Sequence, residues 1–140
     1  MIKGINHIAI AVKDLRAALA TYEGALGLAA VHAEEIPEQA VRVAFLPVGD
    51  VEIELMEPTT PDSSVARFLE RRGEGIHHIC LEVDDIEVAM AELRAKGVPL
   101  INEAPQRGAH GRIAFVHPKG AHGVLIELLE RTSSKWESFG

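Results

Sequence analysis

The chain has 140 residues, 47% of them hydrophobic and 25% charged, which is the composition of a soluble globular domain and not of a disordered segment. A net charge of −7 and an isoelectric point near 5.5 give no basic footprint for nucleic acid, although a local basic patch can still hold the phosphates of a small ligand. No stretch approaches the roughly 20 apolar residues of a membrane span, and a single cysteine, Cys80, excludes an internal disulfide and fits a reducing compartment.

Met1 to Ile5 run straight into a strand-like segment with no room for a signal peptide, so a cytoplasmic protein, or the mature form of an organelle protein, is expected. Ile5–Val12 alternates as a strand. Asp14 is placed to cap a helix reaching about Leu26, which Gly27 ends. Strands are expected near Leu28–Ile36, Val41–Val48 and Val51–Met56, the last two joined by the turn signal Gly49-Asp50. A linking helix over 63–72 leads through Gly73-Glu74-Gly75 to a second round. That round has a strand over Ile76–Val83, an Asp85-capped helix to Lys96 closed by Gly97, and strands near Pro99–Ile101, Ile113–His117 and Gly123–Leu129.

The second round repeats the first. At an offset of 71 residues His7-Ile8 meets His78-Ile79, Val12 meets Val83, Asp14 meets Asp85, and Ala18 meets Ala89. At 70, Arg42-Val43-Ala44-Phe45 meets Arg112-Ile113-Ala114-Phe115; at 73, Ile53-Glu54-Leu55 meets Ile126-Glu127-Leu128. Drifts this small are what changed loop lengths produce. The expected architecture is α+β: two tandem βαβββ modules, residues 1–60 and 74–130, forming a single domain whose curved sheet surrounds a metal-binding cleft.

Side chains alternate across a strand. If Ile8, Ile10 and Val12 face the helix, His7 faces the opposite way. The same parity turns Glu54, His78 and Glu127 away from their helices. The repeat thus supplies one His–Glu pair twice, His7 with Glu54 and His78 with Glu127. Two imidazoles and two carboxylates suit one divalent cation such as Co, Ni, Zn, Fe or Mn better than Ca, and leave positions open for a bidentate substrate. The other histidines lack this pairing. His77 reads as structural, and Cys80 as a small residue lining the cleft and not a ligand.

At these residues the chain resembles the vicinal-oxygen-chelate superfamily, and within it the methylmalonyl-CoA epimerases. The resemblance is carried by Ile5-Asn6-His7-Ile8-Ala9-Ile10-Ala11, Pro37-Glu38-Gln39, Gly75-Ile76-His77-His78-Ile79, His117-Pro118-Lys119 and Gly123-Val124-Leu125-Ile126-Glu127-Leu128. It implies epimerisation of an acyl-CoA, (2R)- to (2S)-methylmalonyl-CoA, by α-proton transfer, with Glu127 as catalytic acid/base. It also implies a divalent metal, cobalt first and nickel, manganese, zinc or magnesium after it, and a homodimer without nucleic-acid or membrane partners. Some relatives carry a second acid where this chain has Val43, so the proton carrier on the other face is expected among Glu35, Glu38, a water or another group. Arg107, Arg112 and Lys119 are either contacts for coenzyme A phosphates or solvated charges. The tail from Arg131, with Trp136 and Phe139, is expected either to pack on a partner subunit or to be disordered. The alternatives are a glyoxalase I-like lactoylglutathione lyase and a non-catalytic binding protein of the same fold. The latter would not need four intact ligands.

Overall fold

The computed structural model describes residues 1–108 and 110–132; Trp136 and Phe139 lie outside the described residues. Two compact units emerge, one of His7–His77, the other of Met1–Asn6 with the chain from His78 onward. The first carries strand β1 (Ile2–Ala11, whose opening residues fall in the other unit), helix α1 (Leu15–Leu19) running into a π-helical turn (Ala20–Ala25), and strands β2 (His32–Ile36), β3 (Val41–Val48) and β4 (Val51–Pro58). Helix α2 (Ser64–Arg72) follows, capped by the Ser63 hydroxyl accepting from the Ala66 N–H. The second unit carries β5 (Gly75–Val83, its last residues from His78), α3 (Ile86–Ala95), β6 (Gln106–Arg107), β7 (Gly111–Val116) and β8 (Ile126–Arg131).

The strand order is β2-β3-β4-β1 in the first unit and β5-β8-β7-β6 in the second. Registers repeat rung for rung. Ala9 lies across from Glu54 and Glu54 across from Phe45; Cys80 lies across from Glu127 and Glu127 across from Phe115. One face of each sheet packs on its helix. In the first unit that core is Val12, Leu15, Ala44, Leu46 and Leu55; in the second it is Val83, Ile86, Ala89, Met90, Ala114, Val116 and Leu128.

The helix starts are built alike. Asp14 accepts from the N–H groups of Arg16 and Ala17, and Asp85 from those of Glu87 and Val88. The first helical N–H donates to a carboxylate on the last strand of the unit, Leu15 to Glu57 at 3.0 Å and Ile86 to Glu130 at 3.1 Å. An arginine on the neighbouring strand holds each carboxylate, Arg42 on Glu57 at 2.7 Å and Arg112 on Glu130 at 2.9 Å. Three otherwise orphaned helix donors are thereby satisfied at each helix start, and a negative charge sits where the helix dipole favours one.

The drifting offset of the repeat has a structural cause. The expected single helix from Asp14 to Leu26 contains one residue more than its counterpart between Asp85 and Gly97. The extra residue is absorbed as the π turn, in which the Leu26 N–H donates to the Thr21 carbonyl. The second drift comes from the insertion of a short 3₁₀ turn (Pro118–Ala121) where the first unit has only Gly49-Asp50. The strand expected from Leu28 begins at His32, because Leu28 and Ala30 pack into the helix-side core. The strand expected at Pro99–Ile101 is reduced to one bridge, Leu100 to Val116; Pro99 has no N–H to extend it. The strand expected from Gly123 starts at Ile126, after Gly123 closes the 3₁₀ turn with φ +94°.

Two stability measurements check this reading. Asp85→Ala should cost about 1 kcal/mol in urea unfolding, the usual worth of an N-cap. Gly111→Ala should cost about 1–3 kcal/mol or more, as overpacking does, because a Cβ there meets the Glu130 carbonyl oxygen at 2.1 Å.

Candidate metal centre

On the face opposite its helix, each unit holds one of the two pairs expected from the sequence. In the first, β1 and β4 run parallel and set His7 two residues before Ala9, the register mate of Glu54. His7 Nδ1 lies 3.3 Å from Glu54 Oε2, and the side chains are 9% and 12% exposed. In the second, β5 and β8 do the same for His78 and Glu127. His78 Nε2 lies 3.2 Å from Glu127 Oε1, with side chains 10% and 13% exposed. The His78 ring meets Phe115 edge-on at 6.3 Å, which fixes its plane.

Burying a carboxylate without a compensating charge is costly, so a nearly buried glutamate is retained only beside a cation or strong donors. Protonated imidazole would meet that need, and so would a metal. The separations of 3.3 and 3.2 Å accommodate the second. A charge-assisted N–H···O⁻ bond is usually about 2.7–2.9 Å. Neighbouring ligands on an ion with bonds of about 2.0–2.2 Å sit near 3 Å or slightly beyond. Imidazole nitrogen with carboxylate oxygen is a donor set that a divalent first-row ion accepts. The residues present therefore fit such an ion.

The surroundings sort the remaining candidates. Cys80 is fully buried beside Glu127, and its counterpart beside Glu54 is Ala9, also fully buried. Both positions carry small side chains. His77 stacks at a tilt on Phe68, with centroids 5.0 Å apart, which agrees with a structural role. His117 accepts the Lys119 N–H at 3.0 Å and shapes the 3₁₀ turn. Arg112 is not a spare cation for a phosphate: Glu130 and Glu87 hold it, and these carboxylates, Glu87 foremost, raise its pKa further. Glu35, one candidate for the second proton carrier, turns to the helix side with Arg42 at 3.5 Å. Glu38 sits exposed in the turn after β2.

Val43 is 2% exposed and lies on the same face as Glu54, across from Met56 and Glu34. One further acid was missed. Glu52, 5% exposed, shares the parity of Glu54 and lies across from His7. The signal was present in Val51-Glu52-Ile53-Glu54-Leu55, but the repeat carries Leu125 at the position corresponding to Glu52.

Comparison with known proteins places this geometry. The model of the Glyoxalase/Bleomycin resistance protein/Dioxygenase superfamily matches residues 6–116. The human protein named methylmalonyl-CoA epimerase, mitochondrial, is 43% identical over 126 residues, which cover 89% of this chain and 72% of that protein. The ethylmalonyl-CoA/methylmalonyl-CoA epimerase of Cereibacter sphaeroides is 42% identical over 131 residues, covering 91% and 98%. The crystal structure of methylmalonyl-CoA epimerase from Mycobacterium tuberculosis superposes with a TM-score of 0.85 at 41% identity, over 94% of this chain and 90% of that one. A probable lactoylglutathione lyase of Vibrio cholerae stands further off at 30% identity, over 90% of this chain and 89% of that protein. The chain belongs to the Glyoxalase/Bleomycin resistance protein/Dioxygenase superfamily.

Proposed function

We propose that the chain is a methylmalonyl-CoA epimerase, interconverting the (2R) and (2S) thioesters by removing and replacing the α-proton. The observation that carries this reading is the buried His–Glu pair made twice, on matching rungs of two units. Identities above 40% to proteins named for this activity support it, against 30% for the lyase. In this reading the modules act as one catalytic domain, and His7, Glu54, His78 and Glu127 together hold one divalent ion. Members of the superfamily use such an ion, and cobalt is the one expected here. The same reading makes the protein a cytoplasmic homodimer. No helix among the described residues is long and apolar enough to cross a membrane.

The chemical problem is a weakly acidic C–H beside a thioester carbonyl. A bound divalent ion acts there as a Lewis acid, lowering the cost of negative charge on the carbonyl oxygen by several kcal/mol. Glu127 takes the α-proton from one face: the C–H bond breaks, its electron pair moves into the enolate, and the carboxylate becomes a carboxylic acid. The Phe115 ring lies beside His78 and the small, buried Cys80 beside Glu127, and burial of this kind strengthens electrostatic interactions. Reprotonation from the opposite face completes the inversion. Val43 has no proton to give.

Glu127→Gln should lower α-proton exchange in deuterated water by about 10²–10⁴-fold, the usual worth of a general base. It should also retain metal, because an amide oxygen still ligates. Val43→Ala should melt earlier, having lost buried methyl groups, while exchange stays near wild type. His78→Ala should lose exchange together with metal content. Chelation should lower the melting temperature and added cobalt restore it, since an ion bound only by the native state stabilises it. Turnover of methylmalonyl-CoA beside that of the hemithioacetal of glutathione decides between epimerase and lyase. A Glu127→Gln protein that holds metal and exchanges at the wild-type rate would show that Glu127 is a ligand only.

A further inference from the structure

In the second unit Phe115 is the register mate of Glu127, and its ring meets the His78 ring edge-on with centroids 6.3 Å apart. In an antiparallel sheet the N–H and C=O of one residue point to the same neighbouring strand. The Phe115 carbonyl accepts the Ile101 N–H at 2.8 Å, so both groups point away from β8. Phe115 and Glu127 therefore form a non-hydrogen-bonded pair, the kind whose side chains lie closer together. The β7–β8 ladder does not bond the Phe115 backbone at this rung; what holds it comes from the other side.

On that other side the ladder is interrupted. Leu100 makes one bridge to Val116, and pairing resumes at Gln106, across from Ile113. Residues 101–105 between them belong to no strand. The Phe115 N–H still finds an acceptor, the side-chain Oδ1 of Asn102 at 2.7 Å. The backbone carbonyl of Asn102 turns elsewhere and accepts from Arg94 Nη2 of α3 at 3.0 Å. Asn102 is thus tied to the helix by its backbone and to β7 by its side chain. The first unit fills the same position differently. At an offset of 70, Val31, His32 and Phe45 match Ile101, Asn102 and Phe115. The Val31 N–H donates to the Phe45 carbonyl as Ile101 does to Phe115. There, however, His32 opens the formed strand β2 as the register mate of Phe45, and its ring stacks on Phe45 at 5.6 Å. In the second unit one amide side chain stands in for that strand.

We propose that Asn102 is a positioning residue of the metal centre: by accepting the Phe115 N–H it holds the Phe115 ring against the His78 imidazole and beside Glu127. The inference rests on the epimerase reading, and within it on His78 and Glu127 as ligands. Without Oδ1 the Phe115 backbone keeps one of its two bonds on the open side, and its N–H turns to water. The His78 ring then loses the fixed neighbour that sets its plane. Groups that orient metal ligands are typically worth about 10–100-fold in metal affinity or activity.

The test compares Asn102→Ala, Asn102→Leu and Asn102→Asp with wild type and with Asp85→Ala, which removes a helix cap of the same unit and no bond to Phe115. Three quantities are measured: protection of the Phe115 amide against hydrogen exchange, the ring-proton NMR signals of His78 in the metal-free protein, and cobalt affinity from the visible spectrum. Asn102→Ala and Asn102→Leu should lose the Phe115 protection, shift the His78 signals and bind cobalt about 10–100-fold more weakly. Asn102→Asp keeps an acceptor oxygen at the same place and should recover all three. Asp85→Ala should melt earlier and change none of them. Unchanged Phe115 protection, His78 signals or cobalt affinity in Asn102→Ala overturns the proposal. Equal losses in Asp85→Ala, or no recovery in Asn102→Asp, do so too. Failure of both Asn102→Ala and Asn102→Leu to fold also overturns it, because the bond would then support the whole sheet and not the site. Wild-type protein that binds cobalt but exchanges no α-proton of methylmalonyl-CoA would instead bring down the epimerase reading.

Discussion

The parallel register that joins the first strand of each unit to its last is the constraint on which the rest depends. Ala9 against Glu54 and Cys80 against Glu127 put the carboxylates 3.3 and 3.2 Å from their histidines. A slip of one residue would turn Glu54 and Glu127 into the helix-side core and push Ile53 and Ile126 onto the other face. Both outcomes are costly, one for burying an unpaired charge among leucines and the other for stripping the core. The same register that makes the core therefore also makes the pairs.

The helix-side device belongs to the same design. Glu57 and Glu130 each accept the first N–H of a helix while an arginine from the next strand holds them. Three elements of each unit, helix, last strand and third strand, are tied at one carboxylate. This ties the helix start to the strand that carries the site glutamate three residues earlier. It also engages Arg42 and Arg112 structurally and leaves fewer cations to recognise phosphates.

The internal repeat supplies the pairs, and the two units differ in detail. The extra residue in the first helix became a π turn, and the last hairpin of the second unit gained a 3₁₀ turn capped by His117. Glu52 in the first unit corresponds to Leu125 in the repeat.

The sequence by itself determined a good deal of this. Period-two alternation fixed which side of each strand meets the helix, and Asp14, Asp85, Gly27 and Gly97 marked both helix ends through local capping chemistry. The internal repeat turned two isolated histidines and two isolated glutamates into a paired set, because the chance that both members recur at matched spacing is small. What depends on strand-to-strand registration stayed hidden. That Glu35 turns to Arg42 while Glu34 stands beside Val43, that His32 lies on Phe45, that Arg112 is consumed by Glu130 and Glu87, and that an extra residue sits inside a helix as a π turn were decided only by tertiary structure. Those contacts join residues on different strands, and no local propensity encodes which residues will face each other until the sheet is assembled.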